Sequence, residues 1–244
     1  MGTFTSCGSL GTSTNNPYID DGTSALCATA IPGSLGLAEK SMLRDIHLTE
    51  EERLLAAGVF GESSTANVFE EMAAIGAVLV RQAEARSTTL LQFLKSKDIG
   101  RFSLVFVDGS ARFNALKNAT EEAVAASSGM NSAVLAARHA VTKQLDYSNG
   151  AYFWDGLDLK TNLSAHPKAL KGIRFSDPAH DIFKIGDKKI TEVVEYWYDK
   201  KGNKTKERGR YSYTFESTAA FGSTVFWRFT PEYLKATGGK EYLG

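Results

Sequence analysis

The sequence predicts an α+β fold, a helical body followed by a small C-terminal antiparallel sheet. Three observations predict it: apolar residues recur at helical spacing between Thr49 and Leu145, a two-residue alternation takes over after Ile190, and the composition is that of an ordinary globular chain. The 244 residues are 43% hydrophobic and 23% charged, and 28 basic side chains balance 28 acidic ones. That balance argues against whole-chain disorder and against a nucleic-acid binder relying on bulk positive charge. The longest nearly unbroken apolar run, Met72 to Val80, is closed by Arg81 and falls far short of the roughly 20 residues a membrane span needs.

Residues 1–36 are rich in Gly, Ser and Thr with Pro17 and Pro32, and read as an arm or linker. No Lys or Arg precedes Lys40 and no apolar run follows Met1, so no intact secretory signal is expected and export would use another route. Cys7 and Cys27 both fall in this arm. A disulfide between them is open to an oxidising compartment, whereas zinc would want a C-x-x-C or a nearby histidine. Residues 37–160 form the helical region, and 161–244 a β-rich extension packed on the same domain.

Thr49 followed by Glu52 is a capping box, which predicts a helix through Leu54, Leu55, Val59 and Phe60 that ends near Gly61. A second helix should start around Asn67 and present Val68, Met72, Ile75 and Leu79 as one stripe. Leu90 to Lys95 looks like a turn or two of helix, and Ser103 to Val107 fits either a strand or a buried helix. Met130, Val134, Ala137, Val141 and Leu145 predict a long central helix reaching Gln144. Ile190 to Tyr198 is β-branched and aromatic, Lys200-Lys201-Gly202-Asn203 is a hairpin connection, Arg210 to Glu216 alternates as a half-buried strand, and Val225, Trp227 and Phe229 supply a third.

Two clusters carry chemistry. Glu62 directly follows a helix end bearing Val59 and Phe60, where burial would keep its carboxyl protonated and able to donate to a leaving oxygen. A Glu before Ser63-Ser64 also fits a helix-end residue in solvent. Asp146 to Asp158 packs three carboxylates, an amide, a hydroxyl and four aromatics into a short span, the mixture a sugar cleft needs, since aromatic faces stack on pyranose rings while polar groups satisfy hydroxyls. A tight turn followed by a buried aromatic strand fits the same residues equally well.

Three segments in order resemble the cell-wall hydrolase family typified by the spore-cortex-lytic enzyme of bacilli, which has a lysozyme-like fold. They are Phe60-Gly61-Glu62, Arg112-Phe113-Asn114-Ala115, and Asp146-Tyr147-Ser148-Asn149-Gly150-Ala151-Tyr152-Phe153. The resemblance spans about residues 50–155. Tyr147 stands where the family has proline, Asn149 where it has the first of paired glycines, and the stretch after Trp154 has no counterpart. That tail and the linker-like start are similar to lysozyme-type toxin domains that bacteria deliver into rivals through the type VI secretion system.

The resemblance implies a peptidoglycan muramidase that cleaves the β-1,4 bond after N-acetylmuramic acid, with Glu62 as general acid. It implies Asp146 as second carboxylate, ahead of Asp108 and Asp155, and a groove lined by Phe113, Asn114, Ser148, Asn149, Tyr152 and Trp154. Hydrolysis is favoured over lytic transglycosylation by the same Glu62. The expected setting is a monomeric, secreted antibacterial effector acting on the cell wall or in the periplasm of a target bacterium. It would need no cofactor or metal, bind no nucleic acid and span no membrane, with glycan strands as partner and room for an immunity protein.

Two other classes compete. His166, Asp177, His180 and Asp181 could hold zinc for a peptidoglycan amidase, although their spacing fits no compact helix motif. The C-terminal sheet could instead be a wall-binding module, because nine Lys or Arg against five Asp or Glu lie between Lys184 and Arg210; a solvated hairpin explains the same charges. His47 and His139 read as packing or solvent residues, and Trp197 and Trp227 as core of the β-layer.

Overall fold

The computed structural model describes residues 47–243, so the arm at 1–36 and the pairing of Cys7 with Cys27 lie outside the described residues. Thr49 caps α1 (Glu50–Glu62) through the predicted box: its hydroxyl accepts from the Glu52 N–H at 3.2 Å and the Glu52 carboxylate accepts from the Thr49 N–H at 2.9 Å. From Leu55 to Phe60 every residue of α1 is buried. Gly58 and Gly61 let a neighbour approach, since a Cβ on Gly58 would lie 2.0 Å from the Phe106 ring and one on Gly61 2.6 Å from Val105 Cγ1. The helix bears about 1 kcal/mol of lost propensity at each glycine in exchange for that close packing.

The second helix, α2 (Phe69–Ala85), buries Met72, Ile75 and Leu79 as predicted, but it starts later than Asn67. Asn67 adopts φ +54° and its Oδ1 accepts from Arg112 at 2.9 Å, so its amide ties a distant element instead of capping. A capping box of Thr89 and Gln92 opens α3 (Leu90–Leu94), and a 3-10 turn, Lys97–Arg101, follows. The ambiguous 103–107 segment resolves into the single-turn α4 (Val105–Asp108), with Leu104 and Val107 exposed. Then come α5 (Ala111–Lys117), α6 (Glu121–Ala126) and α7 (Ser128–Thr142). The last ends two residues short of Gln144 because Lys143 turns left-handed, which leaves Leu145 outside the helix and in solvent; Val141, still within the helix, is 38% exposed rather than part of the buried stripe.

The C-terminal half holds two sheets rather than one antiparallel sheet. In the larger, β1 (Phe153–Asp155), β6 (Thr224–Phe229), β5 (Phe215–Phe221) and β2 (Ile173–Arg174) lie side by side, antiparallel except for the parallel β5–β2 pair. Its two faces serve two cores by the two-residue strand period: Trp154 and Phe226 pack with the helices, whereas Phe153 and Trp227 pack with Leu159, Ile173 and Phe183. The short helices α8 (Asp158–Thr161) and α9 (Pro167–Lys171) connect β1 to β2. The smaller sheet is the hairpin of β3 (Val193–Tyr198) and β4 (Lys204–Tyr211), joined across 199–203 as predicted and backed by α10 (Pro231–Thr237).

Two expectations for this half are corrected. The alternation from Arg210 to Glu216 is not one strand, because β4 ends at Tyr211 and the N–H groups of Thr214 and Phe215 turn to the Gly172 carbonyl at 2.9 and 3.0 Å, passing the chain from one sheet to the other. Trp197 is 53% exposed on the hairpin, whereas Trp227 is fully buried as expected. Among the described residues no helix is long and apolar enough to cross a membrane.

A buried acid ties the helices to the larger sheet. Glu71 is fully buried in α2, and its carboxylate accepts from Ser64 Oγ at 2.6 Å, the Ser64 N–H at 3.2 Å, the Ser223 N–H at 3.1 Å and Thr224 Oγ1 at 2.8 Å. These donors come from the α1–α2 turn and from the β5–β6 hairpin. Gly222 makes room for it, since its φ is +58° and a Cβ there would lie 2.2 Å from Glu71 Oε2.

Candidate active site

Glu62 is the last residue of α1, partly buried. That helix end is fixed by Arg112, whose Nε donates to the Phe60 carbonyl at 2.8 Å and whose guanidinium stacks 3.8 Å above the Phe60 ring. The Glu62 carboxyl accepts from Ser103 Oγ and, at 3.4 Å, from the Trp154 indole N–H. Burial pushes its pKa up from the ordinary 4.5; the bonds from Ser103, Trp154 and the Val105 amide oppose the shift, and the Asp158 charge adds to it. The negative end of the α1 dipole acts in the same upward direction. Among the described residues, Glu62 is thus a carboxyl that burial biases toward its protonated form.

Immediately behind Trp154 lies a group of charges. The Asp155 side chain is only 9% exposed and Oδ1 meets Lys168 Nζ at 2.7 Å, while Asp158 is 68% exposed. His166 Nε2 lies 3.4 Å from both Asp155 Oδ1 and Asp158 Oδ2. The hydrogen bond to Asp155 raises the His166 pKa, against burial and the neighbouring Lys168. We expect a matching pH signature in stability. The native imidazolium is favoured, so its contribution is full below the ordinary 6.5 and is lost as pH rises through the raised value. Thermal melts of His166→Gln should accordingly fall further below the parent protein at pH 6 than at pH 9; an equal gap would refute this.

Among the described residues, Asp155, Asp158 and His166 are the one set of histidine and carboxylate ligand atoms close enough to share a metal ion. Their donor set does not fit one. The Lys168 N–H faces His166 Nδ1 at 3.3 Å, so Nε2 carries a hydrogen in the neutral ring as it does in the favoured imidazolium and offers no lone pair beside the carboxylates, and the Lys168 ammonium already occupies Asp155. The predicted zinc quartet is not assembled either. His180 Nδ1 faces Ser217 Oγ at 2.9 Å, Asp177 caps the Ala179 N–H at 2.8 Å, and Asp181 accepts from the Ile185 and Gly186 N–H groups at 2.9 and 2.8 Å, all without His166.

Of the predicted site residues, the structure brings Trp154 alone onto Glu62. Asp146 is an Asx turn: its carboxylate takes Arg81, Ser148 Oγ at 2.6 Å and the Gly150 N–H at 2.8 Å. Burial alone would raise its pKa, but Ser148, Arg81 and Gly150 together hold it below the usual range. Arg81 stands ten residues beyond Glu71 on α2, about 15 Å along the axis from the end that meets Ser64. The second-carboxylate assignment of Asp146 is thus corrected, because its oxygens are taken up at the far end of α2.

The other positions follow the same division. Ser148 is fully buried within that turn, Asn149 donates to the Thr218 carbonyl at 3.2 Å, and Tyr152 receives the Arg81 guanidinium 5.7 Å from its ring centre, so all three belong to the far end. Phe113 is buried against Phe106, with ring centres 5.6 Å apart, and is core rather than groove wall. It helps line a cavity of about 570 Å³ between α1, α3 and α5 that does not include Glu62. Asn114 is exposed with its amide beside Gly109, and Asp108 is exposed at the end of α4. Sequence reasoning missed Ser103 and Lys168, and it named Asp158 and His166 separately without joining them into the Asp158–His166–Lys168 group. For that group the signal was the short spacing of Trp154, Asp155 and Asp158, and for Ser103 there was none. No family model, no curated protein and no solved structure matches this chain.

Proposed function

We propose that this chain is a peptidoglycan glycan-strand hydrolase, an N-acetylmuramidase, in which Glu62 is the general acid. One observation carries this: a helix-end carboxyl whose pKa is raised by burial, oriented by the Trp154 and Ser103 donors. In the reaction Glu62 gives its proton to the bridging oxygen as the anomeric carbon–oxygen bond breaks, so the leaving sugar departs as a neutral alcohol. Positive charge grows on the anomeric carbon, to which the oxygen of water then bonds as the new reducing-end hydroxyl, while water's proton returns to the Glu62 carboxylate. Asp158, exposed and close enough to bear on the Glu62 charge, is the carboxylate that faces that carbon, and His166 anchors its Oδ2. Trp154 donates to Glu62 from a largely buried position, and burial on that side disfavours the ionised acid. The setting we propose is an antibacterial effector acting on the wall of a rival cell.

Mass spectrometry of digested peptidoglycan tests the reaction. Reducing-end muropeptides are the expected products, and Asp158→Asn should lower their rate of release by at least ~100-fold. Formation of 1,6-anhydro ends with full activity in Asp158→Asn would show transglycosylation, which dispenses with a second carboxylate. No cleavage of any glycan bond by the intact protein would refute the proposed activity altogether.

A further inference from the structure

The β3–β4 hairpin projects from the body, held from one side by α10: the Tyr211 and Tyr233 rings pack edge to face 5.1 Å apart, and a Cβ on Gly209 would lie 3.0 Å from Ala236 Cα. Between Val193 and Tyr211 it carries six Lys or Arg against three Asp or Glu, in a chain whose total charge is zero. Arg210 is spent on Glu192 and Glu207 at the base of the ribbon, at 3.0 and 2.7 Å. Among the described residues, Lys200, Lys201, Lys204, Lys206 and Arg208 have no carboxylate partner; the four lysines occupy the outer part of the ribbon, and Arg208 lies nearer its base, half-buried against Gly238.

Aromatic rings lie among these cations. Trp197 and Tyr198 are 53% and 56% exposed, Lys204 Nζ sits 4.8 Å from the Tyr196 ring centre, and the Arg208 guanidinium sits 4.3 Å from that of Trp197. The strand register explains the arrangement. Glu195 pairs with Gly209 and Tyr196 with Glu207, so Arg208 is an extra residue left out of the ladder, and a second irregularity falls between Tyr196 and Tyr198. Bulges of this kind re-aim side chains and blunt the edge against further strand pairing.

We propose that this ribbon is a second contact surface for the anionic glycan of the cell wall, resting on the activity proposed above. Its cations would meet the carboxylates of the wall peptides, and the open side of each ring would stack on the apolar face of a sugar. Glu192, Glu195 and Glu207 lie toward the ribbon base and Asp199 in the turn itself, so the four outer lysines form a positive patch broken by a carboxylate. That favours separated carboxylates over the dense phosphate array of a nucleic acid, which carries one charge per ~1.7 Å of duplex axis.

Co-sedimentation with purified peptidoglycan sacculi tests this in the full chain carrying Glu62→Gln, which leaves the wall undigested. The expected result is binding that weakens as salt rises and drops at least tenfold in the triple variant Lys201→Glu, Lys204→Glu, Lys206→Glu, with a smaller loss in Trp197→Ala. Without Glu62→Gln, those variants should cleave soluble muropeptide oligomers at the parent rate. Undiminished sedimentation of both variants would overturn the inference, as would tighter binding of the parent to duplex DNA than to sacculi. Should the triple variant misfold by circular dichroism, Lys204→Gln with Lys206→Gln replaces it under the same criteria. Parent protein that binds sacculi through the ribbon but cleaves nothing would remove the proposed activity and leave the ribbon's role standing.

Discussion

Glu62→Gln should abolish glycan cleavage, lowering turnover by about 100- to 10,000-fold, while the fold remains intact. Glutamine keeps the shape, with Oε1 able to accept from the Trp154 indole and Nε2 to donate to the Ser103 hydroxyl, but it has no acidic proton to give. The same substitution carries a stability readout of opposite sign. Because burial raises the native pKa above 4.5, the native state holds its proton more tightly than the unfolded chain, and stability is lost as pH rises through the native value. Glutamine mimics the protonated acid at every pH. The variant should therefore gain on the parent protein in thermal melts at pH 8 and match it near pH 4. A Glu62→Gln protein with unchanged cleavage would take Glu62 out of the reaction. One without the alkaline gain in stability would show that the carboxyl is not held in a dry environment.

The second large effect is structural. Glu71→Ala should destabilise the protein by about 3 kcal/mol, because it takes the acceptor from the half-buried donors of Ser64 and Ser223 and the buried Thr224 hydroxyl and leaves a void where a fully buried side chain stood. For a chain of this size that corresponds to roughly 10 °C in melting temperature, measurable by calorimetry. Glu71→Gln can keep part of the acceptor set and should lose less. Equal melting temperatures for all three proteins would mean that the carboxylate is not the tie described above.

Local chemistry made much of the fold legible. The Thr49–Glu52 box fixes where α1 starts, and the Met72, Ile75, Leu79 spacing fixes the buried side of α2, since each depends only on residues within a few turns. Position 62 was legible for the same reason, as a carboxylate directly after an apolar helix end. What was not legible depended on partners far along the chain. Glu71 reads as a first-turn acid of an amphipathic helix, and nothing nearby reveals that Ser223 and Thr224 will close over it. The stretch after Asp146 was ambiguous because an Asx turn and a sugar-binding loop draw on the same residue types. Its aromatics divide accordingly, with Trp154 reaching Glu62 and Tyr152 lying against Arg81. Trp197 looked like core because strand propensity does not say which face of a hairpin will lack a neighbour.

The Glu71 tie bears on how the molecule could be shortened. A fragment ending near residue 160 would retain Glu62, Trp154 and Asp158, yet it would strip β1 of its partner β6 and bare a carboxylate that is fully enclosed in the intact chain. The C-terminal stretch is in this sense the lid on the helical half rather than a detachable passenger. Evolution or an engineer wishing to minimise this protein would have to replace that acid and re-cover Trp154 before removing any of it.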